Sequence, residues 1–180
     1  MYIRSSYQFL ILAASLAATV SGIKVPKGQP DGTYEVIKDS NGTEYHTRIS
    51  QSKPSKRQIS WPKGTEPQCG GGGIGGDVVS LPQLDWSSAD ARFVQACTAA
   101  GDTHFQDTEA VYSVSGQAVV YYCNYNHKGG TTCEPDEYSA GKSVLQATCN
   151  HAPDGVQAAR WNIPSWKKAY GWQTSNTDFC

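Results

Sequence analysis

Six cysteines, one dibasic pair and a crowd of indoles are the residues of this chain whose chemistry can be stated from type and spacing. Cys69, Cys97, Cys123, Cys133, Cys149 and Cys180 form no Cys-x-x-Cys pair and no Cys/His cluster, so thiolate–zinc chemistry is not indicated. An even count in a small exported chain points instead to oxidation into three disulfides. Six cysteines allow 15 pairings, and the spacing does not choose among them. A bridge at Cys180 is expected to fasten that end of the chain to the body.

Acid–base chemistry has a thinner basis. A small ribonuclease needs a carboxylate and a histidine as base and acid, with an arginine facing the phosphate. Glu109, His104, His151 and Arg160 supply those types. However, all three histidines after residue 57 (His104, His127, His151) fall in expected loops. No Gly-x-Ser-x-Gly elbow or His-Glu-x-x-His pair is present. No catalytic residue is assigned, and neither cofactor nor metal is expected. The glycine tract after Cys69 lacks the Lys-Ser/Thr pair of a phosphate loop and reads as a tethered loop.

The aromatics are the candidate binding residues. Trp161, Trp166, Tyr170 and Trp172 crowd together beside Arg160. Such a cluster can stack on sugars or anchor a protein partner. The competing reading is core packing, which large aromatics often supply in small disulfide-rich domains. A flat exposed row of Trp161, Trp166 and Trp172 favours a glycan, and buried rings disfavour it. Alternation puts Trp161 and Arg160 on opposite faces of one strand. Lys167-Lys168 reads as a solvated turn.

Residues 1–22 carry Arg4, an apolar run from Phe9 to Val20 and the small pair Ser21-Gly22. That order is a secretory signal, with cleavage expected after Gly22. The run is shorter than the roughly 20 residues a membrane span needs. Residues 23–57 contain neither cysteine nor tryptophan and end in Lys56-Arg57, a pair of the kind cut by secretory processing proteases. They read as a pro-segment. It carries the sequon Asn41-Gly42-Thr43, so Asn41 is the expected N-glycosylation site. Gly32–Glu44 reads as a transient hairpin turning at Asn41-Gly42. The expected mature part, 58–180, has seven Lys and Arg against twelve Asp and Glu, a net charge of −5. That balance argues against a nucleic-acid partner and against attraction to anionic membranes. The domain reads as a monomer without membrane insertion.

Elements to position these groups follow from periodicity. Ala110–Tyr125 is the most β-prone run and splits at Ser115-Gly116, giving a hairpin whose second strand is central. Ala89, Phe93, Cys97 and Ala100 recur at helical spacing behind Ser87 as cap, predicting a helix over 88–100. A second helix begins near Glu134-Pro135 and carries Tyr138, Gly141, Leu145 and Cys149 on one face. Short strands are expected at 77–81, 156–163 and 169–173. The order predicts an α+β fold: a small disulfide-rich two-layer sandwich, an antiparallel sheet with two helices on one face.

A secreted precursor with a Lys-Arg site, two cysteine-bearing helices, a Tyr-Tyr-Cys-Asn-Tyr strand at 121–125 and a terminal Phe179-Cys180 resembles the fungal small cysteine-rich secreted proteins. Among these, the killer-toxin-like and necrosis-inducing-factor-like α/β sandwiches are the nearest likeness. The resemblance covers roughly residues 69–180. It implies an effector or toxin role, in virulence or competition, acting on a host or competing cell. Beside it, the residues lead to the expectation of binding a host or competitor protein, or a cell-wall glycan, with a small secreted hydrolase as the further alternative. It transfers no functional residue.

Overall fold

The computed structural model describes residues 22–49, 59–70, 79–99, 108–126, 130–149 and 155–180. In chain order the strands are β1 (Gly32–Lys38), β2 (Glu44–Arg48), β3 (Glu66–Cys69), β4 (Ser80–Leu81), β5 (Thr108–Ser115), β6 (Ala118–Asn124), β7 (Val156–Gln157), β8 (Ala159–Ile163) and β9 (Lys168–Thr174). The helices are α1 (Gln83–Ala99) and α2 (Pro135–Cys149). Seven strands form an antiparallel sheet in the order β2-β1-β5-β6-β9-β8-β3, while β4 and β7 pair separately. Both helices lie on one face of the large sheet, as the element order predicts.

The Ala110–Tyr125 run becomes β5 and β6, and β6 is the middle strand of the seven. Every residue of β6 is buried, which accounts for its having no polar face. Ser115 pairs with Ala118, so Gly116-Gln117 makes the turn, one residue later than expected. Gly116 takes φ +50°, the left-handed conformation that a two-residue hairpin turn requires at this position.

α1 begins at Gln83, ahead of the expected start. The Pro82 carbonyl accepts the Trp86 N–H at 3.0 Å, and Ser87 sits inside the helix with its hydroxyl on the Leu84 carbonyl. Proline has no N–H to leave unpaired, so it suits this boundary. α2 starts as expected: Glu134 O accepts the Tyr138 N–H at 3.0 Å, and Pro135 occupies the first turn.

Two apolar clusters follow from strand alternation. On the helix side, Phe93, Cys97, Tyr138 and Leu145 pack on Val111, Val120, Tyr122 and Trp172. On the other side, Tyr112, Val119, Tyr121 and Cys123 cluster with Tyr34 and Val36 of the neighbouring β1 and with Ile23, Val25 and Phe179. Three disulfides tie the elements: Cys69–Cys149 joins β3 to the end of α2, Cys97–Cys133 joins α1 to the approach to α2, and Cys123–Cys180 joins β6 to the last residue.

The hairpin expected to be transient is part of the sheet. β1 pairs with β5 from Gly32↔Val114 to Ile37↔Thr108, and β2 forms the edge beyond it. Asp39 closes its turn by accepting the Asn41 and Thr43 N–H groups, both at 2.9 Å. Asn41 itself is exposed there. The processing pair Lys56 and Arg57 lies outside the described residues.

Candidate functional site

Three indoles meet beside β8. The alternation of that strand buries Ala159, Trp161 and Ile163 toward the helices. Pro164 then breaks it into one turn of 3-10 helix, Pro164–Trp166. Lys167 takes φ +51° and donates its N–H to Pro164 O at 3.0 Å, which returns the chain into β9. Trp166 is thereby left half-buried beside Trp161. Trp61, from the chain ahead of β3, packs edge-on to Trp161 at 5.3 Å and tilted by 37° against Trp166 at 5.8 Å.

The buried ring of this cluster, Trp161, is held from below by α2. A Cβ at Gly141 would stand 2.8 Å from Trp161 Cδ1, so only glycine lets the indole lie this close to the helix. Trp161 is 5 % exposed, and its Nε1 has no hydrogen-bond partner among the described residues. Trp61 and Trp166 are both half-buried.

Behind Trp166 lies a buried polar network. Lys168 is 4 % exposed, and its ammonium stands 5.1 Å from the Trp166 ring centroid. It pairs with Glu137 Oε2 at 2.5 Å and donates to Thr132 O at 3.2 Å. The Tyr170 hydroxyl donates to Glu137 Oε2 at 2.9 Å and accepts the Glu134 N–H at 3.0 Å. Burial first, and then the Glu137 charge, raise the Tyr170 phenol well above its ordinary value. Burial likewise raises Tyr122. Both phenols are therefore neutral over the physiological range, and Tyr170 serves as the donor to Glu137. The expectation of a solvated Lys167-Lys168 turn is thus corrected at its second residue. Lys167 is exposed, but alternation puts Lys168 on the same side as Tyr170 and Trp172, under the helices.

The candidate binding residues do not form one surface. Trp172 is 1 % exposed, packs edge-on to Trp86 at 5.7 Å and donates Nε1–H to Gln157 O at 2.7 Å. Tyr170 is equally buried. Arg160 is on the opposite face, as alternation predicts, where its guanidinium stands 5.6 Å from the Tyr125 ring centroid and donates to that hydroxyl. Only Trp166 of the four aromatic candidates remains partly open, and Trp61, which sequence reasoning did not connect with the cluster, joins it. No local signal ties Trp61 to β8; antiparallel pairing of β3 with β8 brings it there.

The acid–base candidates are not gathered among the described residues. Glu109 is on β5 and Arg160 on β8, with β6 and β9 between them. His104, His127 and His151 lie outside the described residues. Among the described residues no group of three His, Cys, Asp or Glu is placed to hold a metal, and no helix is long and apolar enough to cross a membrane. Compared with protein-family models, with curated proteins and with solved structures, the chain gives no match in any of the three.

Proposed function

We propose that this chain is the precursor of a secreted effector or toxin-like protein that works by binding a host or competitor target rather than by catalysis. Residues 1–22 are its export signal, and Lys56-Arg57 is its processing site. The observation that carries the binding reading is the meeting of Trp61, Trp161 and Trp166. The half-buried Trp61 bridges the half-buried Trp166, which has the Lys168 charge beneath it, and the buried Trp161, which Gly141 seats against α2. Rigid aromatics of this kind make binding anchors because they contribute large contact area with little entropy loss. Three disulfides, an exported leader and the resemblance to killer-toxin-like sandwiches support the compartment and the role.

A protein target is favoured over a cell-wall glycan. Trp161, Tyr170 and Trp172 are in the core, and the two open rings are tilted rather than coplanar, so there is no flat row for a sugar chain. The test is to purify the secreted protein and screen it for plant-cell and microbial killing, glycan binding and nuclease activity, beside Trp61→Ala and Trp166→Ala variants. Loss of killing in both variants with an unchanged fold supports the reading. Full killing by the double variant moves the working surface elsewhere, and nuclease activity or saturable glycan binding replaces the reading.

A further inference from the structure

β5 is an inner strand only because β1 covers it, and β1 comes from the segment ahead of Lys56-Arg57. That segment holds no cysteine, so every tie between it and the body is non-covalent. The ties are nevertheless extensive. Tyr34 stacks on Tyr112 with ring centroids 5.4 Å apart, and Val36 is fully buried. Thr33 and Ser113 share a buried hydrogen bond of 2.7 Å between their hydroxyls. Ile23 exchanges backbone hydrogen bonds with Phe179 at 2.6 and 2.7 Å, next to the bridged Cys180.

Charge adds to shape. Residues 23–57 contain seven Lys and Arg against four Asp and Glu, a net of +3, facing a body of net −5. Lys24 pairs directly with Asp178 at 3.0 Å. Asp31 reaches the β5–β6 turn, where it accepts from Ser115 Oγ at 2.9 Å and from Gly116 N–H at 3.1 Å, with Arg92 of α1 beside it.

We propose that the β5 edge and the apolar face beside it are a strand-docking surface whose occupant, after the chain is cut behind Arg57, is this protein's own residues 23–49. They are retained as a second, non-covalently held chain. This goes beyond a discarded pro-segment and rests on the processing reading above. Departure of the segment leaves an unpaired row of N–H and C=O groups along β5 and uncovers Tyr112, Tyr121 and Phe179. Folded proteins avoid such an edge and such a patch. Retention also keeps the Asn41 sequon on the secreted protein.

The test uses the full secreted precursor digested with a Lys-Arg-specific endoprotease. Retention predicts two chains on a denaturing gel without reductant, and one species in native size exclusion at micromolar concentration. Elution of the segment apart from the body overturns the proposal, and so does a folded precursor that resists the protease after Arg57. Tyr34→Ser is expected to raise the dissociation constant of the nicked pair at least about tenfold, because the lost ring burial has no tether to offset it. Asp31→Asn, an exposed change that leaves the apolar contacts intact, is expected to raise it about two- to fivefold, while the salt dependence carried by Lys24–Asp178 and by the opposite net charges remains. Nicked pairs as tight as the parent in both variants overturn the docking surface. None of these readouts uses killing or binding of a target, so a failure of the functional reading is seen separately.

Discussion

The two faces of the sheet are built in opposite ways. The helix face is closed by α1 and α2, tied by Cys69–Cys149 and Cys97–Cys133, and contains the buried Lys168–Glu137 pair. The other face carries no helix among the described residues. It is closed by Ile23, Val25, Tyr34, Val36 and Phe179, and only Phe179 lies beside a disulfide, Cys123–Cys180. One face is held by cross-links within residues 69–149, and the other by β1 paired alongside the hairpin and by the bridged segments at Ile23 and Phe179. Damage to the first therefore unfolds the whole domain. Damage to the second loosens a cover while the helix-packed body persists.

The largest test of that contrast is Lys168→Ala. It leaves the Glu137 carboxylate buried without its ammonium, and removing one partner of such a pair costs about 3–5 kcal/mol. Urea unfolding followed by tryptophan fluorescence is expected to show a lowered midpoint for a single transition. A midpoint within error of the parent would show that water reaches the pair and that this face is less sealed than its burial indicates. Next in size is replacement of Cys123 and Cys180 together by serine. The separation of 57 residues puts the loss in the usual range of about 2–4 kcal/mol. The contrast predicts something more specific in hydrogen exchange: amides of Ile23 and β1 gain exposure before those of α1 and α2.

Legibility in the sequence divides along the same line. The helix face was readable because Phe93 and Cys97, and Tyr138, Leu145 and Cys149, repeat at helical spacing and commit their helices to one side. The central place of β6 was readable from its unbroken Val and Tyr content. The hairpin turning at Asn41-Gly42 was readable, but nothing in residues 23–49 announces that it docks, because Ile23, Tyr34 and Val36 are few among polar neighbours. Their burial depends on a register with β5 that only the folded chain supplies. The indole cluster was half readable. The crowding of 161–172 marks it, but strand alternation sends Trp172 and Tyr170 into the core, and Trp61 arrives by long-range pairing with β8. Lys168 shows the same limit: beside Lys167 it looks solvated, and one residue of strand alternation buries it.

Smaller again is Gly141→Ala, which probes how tightly the indole cluster is seated on α2. The added methyl meets the Trp161 ring at a distance real side chains avoid. Alanine is intrinsically the better helix residue by about 1 kcal/mol, so helix propensity alone predicts a stabilised protein. Overpacking of this kind costs about 1–3 kcal/mol and is expected to win, with a shifted tryptophan emission as Trp161 is displaced toward Trp61. A stabilised variant with unchanged emission would mean that the ring has room to slide.

The smallest effect separates the two faces by pH. Burial tends to raise the Asp31 carboxyl, but the Gly116 N–H, the Ser115 hydroxyl and the Arg92 charge together lower it beneath its ordinary value of 3.8. A lowered folded-state value means that ionised Asp31 stabilises the docked segment. That contribution is complete above the unfolded value near pH 3.8 and is lost as pH falls through the folded one. The group is half exposed, so screening limits it to less than about 1 kcal/mol. Hydrogen exchange of β1 at pH 3 against pH 6 is expected to show protection falling more steeply in the parent than in Asp31→Asn, while α2 follows the same profile in both proteins. Equal pH profiles for β1 in the two proteins would place the acid sensitivity of that cover elsewhere, and a profile change in α2 would show that the two faces unfold as one.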